Sequence, residues 1–184
     1  MSLILITTSH KPSQRTRSFI KDLSMTLPYS ATVNRGKKTL EELGIEAHRH
    51  KARYIFVAGE RRGNPSIIRI YRVDTTQKIP KVKHIASIII KGVKLTRENP
   101  EATRAYNPET IKIDYMKCIS DQCFKLSDLF YSIYEKIIDE EKPEITLLLE
   151  ECDKGRIVFK PINRLGKTCG PIIIIKGVRF FEEA

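Results

Sequence analysis

The chain has 184 residues, 41% of them hydrophobic and 30% charged, which is enough apolar material for a core and excludes a mainly disordered polar tail. Its formal charge is +11, and all of the excess lies in one half: residues 1–93 carry 18 Lys+Arg and 6 Asp+Glu, whereas residues 94–184 carry 15 and 16. No apolar run approaches the roughly 20 residues of a membrane span, and the opening residues lack the basic, apolar and small-residue regions of a secretory signal. The expectation is a soluble, cytoplasmic protein with a basic N-terminal half and a near-neutral C-terminal half.

Residues 3–7 read as a short strand and 8–12 as a turn. The spacing predicts a helix over 13–27, stopped by Pro28. Phe19, Ile20, Leu23, Leu27 and Thr16 fall on one arc, and Gln14, Arg15, Arg17, Ser18 and Lys21 take the rest. The helix therefore docks by a stripe and presents a basic face. Residues 31–33 form a weak strand, followed by the basic turn Asn34-Arg35-Gly36-Lys37-Lys38. Thr39, with Glu42 three residues on, reads as a capping box opening a helix to about residue 51 that buries Leu40, Leu43 and Ala47. Strands over 54–58 and 66–73 flank the loop Gly59-Glu60-Arg61-Arg62-Gly63-Asn64-Pro65, and a further strand covers 85–93. Residues 94–110 hold Pro100 and Pro108 without a period and read as a connector. A helix then starts at Ser120 or Asp121 and runs to about 139, with Cys123, Leu126, Phe130, Ile133 and Ile137 as its stripe. Strands follow near 145–150, 157–161 and 172–178.

One internal repeat is visible. Ile88-Ile89-Ile90-Lys91-Gly92-Val93-Lys94-Leu95 matches Ile173-Ile174-Ile175-Lys176-Gly177-Val178-Arg179-Phe180 at an offset of 85 residues. A helix and two strands precede each copy. The fold class expected is α/β, built as two similar halves related by a pseudo-two-fold, each a small mixed sheet with helices. The N-terminal strand and helix are extra to the matched core.

Motifs for chemistry are incomplete. Gly166-Lys167-Thr168 resembles the end of a phosphate loop, but the required upstream glycine position holds Pro161. Gly59 and Gly63 complete no dinucleotide fingerprint. His10, His48, His50 and His84 join no carboxylate or cysteine cluster. Cys118, Cys123, Cys152 and Cys169 contain no C-x-x-C pair and read as buried or half-buried thiols rather than metal ligands. No nucleophile–base set is assembled, so the expectation is a protein that is not an enzyme, with no catalytic residue, no metal and no cofactor.

The basic clusters are the better lead. Lys11, Arg15, Arg17 and Lys21 lie in or beside the first helix, Arg35, Lys37 and Lys38 at the next turn, and Arg61 and Arg62 in the loop after residue 58. Gln14 and Asn64 add hydrogen-bonding groups. All sit at element ends or turns, where helix N-termini and backbone N–H groups add to phosphate binding.

The stretch Ile4-Leu5-Ile6-Thr7-Thr8-Ser9-His10-Lys11-Pro12-Ser13-Gln14-Arg15-Thr16-Arg17-Ser18-Phe19-Ile20-Lys21-Asp22-Leu23 strongly resembles the opening of the Brix domain, most of all in archaeal single-domain members. Asn34-Arg35-Gly36-Lys37 and residues 59–65 match the same pattern in order, while the C-terminal half resembles it in layout. The resemblance implies a single Brix domain over 1–184, with two α/β halves related to the anticodon-binding domain of some aminoacyl-tRNA synthetases. It also implies a non-catalytic ribosome-biogenesis factor that binds precursor ribosomal RNA and assists its folding, processing or assembly. The basic residues named above carry over as RNA contacts. Eukaryotic relatives bind a partner protein through the Brix core, so a ribosome-assembly protein is the second partner implied. The alternative reading is a protein–protein adaptor in a pre-ribosomal particle, taking a peptide in the groove between halves or by strand addition to an edge strand over 172–178.

Overall fold

A computed structural model describes residues 3–181. The elements in chain order are β1 (Ile4–Thr8), α1 (Gln14–Thr26), β2 (Ser30–Thr32), α2 (Leu40–Arg49), β3 (Tyr54–Arg61), β4 (Asn64–Asp74), β5 (Lys81–Lys94), β6 (Ile111–Lys117), α3 (Asp121–Tyr134), β7 (Ile145–Cys152), β8 (Arg156–Asn163) and β9 (Ile172–Phe180). Local sequence explains the helix starts. Ser13 caps α1 by accepting from the Thr16 N–H, Thr39 and Glu42 form the capping box of α2, and Ser120 caps α3 through Cys123.

All nine strands form one sheet in the order β2-β1-β3-β4-β5-β9-β8-β7-β6. This corrects the expectation of two small separate sheets: β5 and β9 pair antiparallel and fuse them. In the first part β1 runs parallel to β3, and β3, β4 and β5 are antiparallel in turn. In the second, β6 runs parallel to β7, and β7, β8 and β9 are antiparallel in turn. The strand over 111–117 was not expected; because it stands to β7 as β1 stands to β3, β1 is no longer an extra element. The 172–178 segment is also not an edge. It is the middle of β9, with β5 on one side and β8 on the other, so its backbone is already paired and strand addition there is blocked. The edges are β2 and β6.

Alternation along the strands buries one face under α1 and α3. Phe19, Leu23 and Leu27 of α1 and Leu126, Phe130 and Ile133 of α3 belong to one continuous core with Ile6, Phe56, Ile70, Ile88, Leu147, Phe159 and Ile175. The two halves thus share a core. On the opposite face α2 packs Leu43 and Ala47 on Leu5, Ile55, Val57, Tyr71 and Val73 of the N-terminal half. Among the described residues no helix covers that face over β6–β9. The connector is tied down rather than loose: Thr96 donates from N–H and hydroxyl to Asp22 of α1 at 2.7 and 2.6 Å, and Arg97 donates to Ser18.

The cysteines need correction. Cys118 and Cys123 form a disulfide, with their Cα atoms 5.5 Å apart, because the turn closed by Ser120 brings the end of β6 onto the first turn of α3. Cys169 is buried and free, and Cys152 is exposed.

Candidate nucleic-acid interface

β1, β2 and β3 are parallel, so their carboxyl ends open at the same end of the sheet. The chain leaves β1 into residues 9–13, leaves β2 into residues 33–39, and turns from β3 to β4 at Arg62 and Gly63. Three of the sequence clusters are thereby brought together on one rim, although they are about 25 to 50 residues apart. Hydrogen bonds lock the three loops. The His10 ring donates from Nδ1 to Gly36 O at 2.9 Å and accepts from the Arg35 guanidinium at 3.3 Å, and the Ser13 hydroxyl lies 2.9 Å from Gly63 O.

Glu60 is the organiser of this rim, and the charge pattern did not single it out. Its Oε2 accepts from Ser13 N–H at 2.9 Å, Ser13 Oγ at 2.8 Å and Thr16 Oγ1 at 2.5 Å. The Thr16 hydroxyl, the Ser13 N–H and the Ser13 hydroxyl outweigh burial and hold the carboxyl below its ordinary range. A carboxylate therefore already occupies the N-terminus of α1. This corrects the expectation that this helix end is open to phosphate; an anion at the rim meets side chains instead.

The predicted contacts divide by what else they do. Arg15 forms an ion pair with Glu98 and donates to Val93 O at 2.8 Å. Hydrogen bonding by Glu98 raises the Arg15 pKa, and the same bond lowers that of Glu98. Arg35 donates to Lys38 O, Thr8 O and His10, and Lys38 pairs with Glu46 at 3.0 Å and donates to Asn34 O. These three cations hold the chain's own loops. Lys11, Gln14, Arg17, Lys37, Arg61, Arg62 and Asn64 are exposed. Lys21 is exposed too, but it sits two turns along α1, in a separate groove with Asp22, Thr32, Arg97 and Arg104. Lys11 and Arg62 both have φ of 53°, the left-handed conformation of a tight turn, and both are exposed.

The rim continues onto the face of the sheet that carries α2 in the N-terminal half and no helix over β6–β9 among the described residues. Arg69 of β4 lies on that face, opposite Val57, and its Nη1 would lie 3.3 Å from a Cβ placed at Gly59. The same added Cβ would approach Ile67 Cγ2 to 2.7 Å, so glycine at 59 is what lets β4 side chains lie over the end of β3. Arg69 and Arg35 are the cations facing Tyr71, whose hydroxyl pKa burial raises against their pull. Further along this face Arg156, Lys160 and Arg179 alternate with the buried Ile157, Phe159 and Val178 and outnumber the acids Asp114 and Glu150. The near-neutral half therefore segregates its charge, a feature that counting residues misses and that strand alternation would have revealed.

At the opposite end of the sheet the carboxyl ends of β6 and β7 are built alike but carry different chemistry. Glu151 Oε1 accepts from Ile119 N–H at 2.9 Å, Ser120 N–H at 2.6 Å and Ser120 Oγ at 2.7 Å. Burial pushes its carboxyl up, but these bonds outweigh it and hold it below its ordinary range. Around this cap Met116 and Ile119 are 87% and 81% exposed, and Tyr115 meets Phe124 edge to face. Cys118, Cys123 and Glu151 are the group of metal-capable side chains among the described residues, with ligand atoms within 4.8 Å, but the two sulfurs are bonded to each other. No helix among the described residues is long and apolar enough to cross a membrane.

No family model matches the chain. It is 50% identical over 93 residues to a curated protein of Aeropyrum pernix named "Probable Brix domain-containing ribosomal biogenesis protein", a match covering half of each chain. A protein of the same name from Thermococcus kodakarensis is 36% identical over 96 residues, covering 52% of this chain and 44% of the relative. The matched part spans about half the length of these curated relatives. Over nearly the whole chain, the fold is similar to the crystal structure of a probable ribosomal biogenesis protein from Aeropyrum pernix, with TM-score 0.77 and 32% identity, covering 95% of this chain and 96% of that one. It is also similar in fold to Mil, an archaeal Imp4-like protein, with TM-score 0.65, 24% identity and coverage of 96% and 99%.

Proposed function

The chain belongs to the family of Brix domain-containing ribosomal biogenesis proteins, and from that premise we propose that it binds precursor ribosomal RNA through the basic rim of residues 1–93. In this reading it acts in the cytoplasm, assists RNA folding, processing or subunit assembly, and performs no chemistry of its own. The observation that carries it is the convergence of Lys11, Lys37, Arg61 and Arg62, all exposed, on loops that are locked together at one end of the sheet. A rim prepared in this way offers phosphates fixed cations at little ordering cost.

We read residues 1–184 as one functional unit of two repeats about a pseudo-two-fold between β5 and β9. Two regularities support this. With the 85-residue offset, Ile88↔Val178 exchanges with Val93↔Ile173, Ile89↔Gly177 exchanges with Gly92↔Ile174, and Ile90↔Ile175 maps onto itself. The Ser13–Glu60 and Ser120–Glu151 caps are built the same way.

The test is a titration of a ribosomal RNA transcript at several salt concentrations. Replacing Lys37, Arg61 and Arg62 by Ala is expected to weaken binding across sequences. It should also reduce the log–log salt slope by about 0.7 for each single-strand phosphate that is no longer neutralised. Arg15 and Arg35 are unsuitable targets because their removal loosens the rim itself. Unchanged affinity and slope would exclude the rim.

A second reading, the protein adaptor, draws on the exposed Met116 and Ile119 at the far end of the sheet. It predicts a protein association that survives nuclease and is abolished in Met116→Ser/Ile119→Ser.

A further inference from the structure

The face of the sheet on which α2 packs also carries an aromatic row that the rim does not use. Tyr71 of β4, His84 of β5 and Phe181, one residue past β9, lie side by side across the sheet. Their ring centroids are 4.8 Å apart for Tyr71–His84 and 4.3 Å apart for His84–Phe181. Tyr71 is buried, in the cluster that α2 covers. His84 is fixed by hydrogen bonds of its Nε2 to Ala86 O at 3.1 Å and Ser87 Oγ at 2.8 Å. Phe181 is held by its N–H on Ile85 O at 3.0 Å, yet the residue remains 44% exposed. A core aromatic would be covered, and an isolated surface one would not be stacked on a fixed ring from behind.

Two arginines stand in the next row along the strands, both on the same side of the aromatic row. Arg69 of β4 and Arg179 of β9 are both register partners of Ser87, one on each side of β5. Neither forms an ion pair among the described residues. The two strands next to β5 therefore place one cation each about one strand spacing from Ser87, roughly 5 Å in either direction. Aromatic surface with two unpaired cations in the adjacent row suits a ligand that has both a flat apolar face and a repeated negative charge.

We propose that this face is a stacking platform for single-stranded RNA, with an unpaired base lying on the exposed ring of Phe181 and adjacent phosphates taken by Arg69 and Arg179. A duplex hides its base faces in the stack, so the platform discriminates for unpaired segments, whereas the rim reads charge alone. Arg69 joins the two, since it reaches over Gly59 toward the rim. The inference rests on the RNA-binding reading above and adds the strandedness of the RNA.

The chain contains no Trp, which gives a direct test. In Phe181→Trp, the single indole reports a stacked base by quenching of its fluorescence. Titration of the full chain with a 12-nucleotide oligo-adenylate is expected to quench it, and a 12-base-pair RNA duplex is expected not to. In parallel, anisotropy with the same two RNAs should show Phe181→Leu weakening the oligo-adenylate by about 5- to 100-fold, the range of one base–aromatic stack removed. The duplex should be unaffected. An unquenched indole despite binding, or equal weakening of both RNAs by Phe181→Leu, would overturn the platform while leaving the rim intact. Failure of the unsubstituted chain to bind either RNA would instead sink the RNA-binding reading.

Discussion

The two ends of the sheet use one scaffold for opposite surfaces. At each, a strand leads through a serine cap into a helix, and a glutamate from the end of the neighbouring parallel strand closes the cap: Glu60 on Ser13, Glu151 on Ser120. Around the first cap stand Lys11, Arg61 and Arg62; around the second stand Tyr115, Met116 and Ile119. β3 and β7 run in opposite directions, so the two surfaces face away from each other. The cap fixes the backbone of the turn through a few hydrogen bonds, and nothing in those bonds constrains the solvent-facing residues. The scaffold is therefore common, and the surface chemistry is free to diverge.

The largest expected effect tests whether the two helices are equal anchors. Phe19 and Phe130 are both buried in the shared core, and each Phe→Ala should cost about 3–5 kcal/mol in chemical unfolding. A cost well below this for Phe19 alone would make the N-terminal half a docked accessory rather than an equal partner. Next is the feature present at one end only. Removing the Cys118–Cys123 disulfide, by Cys118→Ala/Cys123→Ala, should cost about 2 kcal/mol for so short a loop. The non-reduced native protein should take one alkyl group quickly, at the exposed Cys152, and resist at Cys169, whose thiol burial pushes up to about 11. Two further fast-reacting thiols would show the pair to be reduced.

The smallest effect compares the caps themselves. Glu60→Gln and Glu151→Gln should each cost about 1 kcal/mol, because a charged acceptor of several hydrogen bonds is replaced at a solvent-accessible site. Both carboxyls are held below their ordinary value of 4.5 in the folded protein. Their contribution is thus complete above that pH and is lost as pH falls below it, through the folded values. Stability measured from pH 6 to pH 3 should decline less steeply in each variant than in the parent. A flattening in only one of them would break the equivalence of the two caps.

Sequence reasoning reached the elements whose determinants lie within a turn or two of the chain. Ser13, Thr39 and Ser120 announced three helices, and the stripes of α1 and α3 named their buried sides. In the strand over 111–117 the alternation of apolar and polar residues spans only Ile111, Lys112 and Ile113, too short a run after the connector over 94–110 to mark a strand. The candidate contacts were found as a set and could not be sorted. Arg15 and Arg61 look alike in sequence, yet one is spent on Glu98, 83 residues away, and the other is exposed. Glu60 was invisible as an organiser because its partners lie 44 and 47 residues back.

What the sequence determined by itself was the inventory: capped helices, alternating strands, an Ile-rich repeat and a half with twelve surplus positive charges. These follow from interactions between residues within four positions of each other, or from simple counting. Only the tertiary structure decided that the repeats pair with each other through β5 and β9, that β9 is central rather than an edge, which cations are spent, and that Tyr71, His84 and Phe181 form one row. Those outcomes depend on strand register between segments up to about 100 residues apart. A register shift of one residue turns every side chain of a strand to the opposite face, and that choice is made by packing the whole core at once.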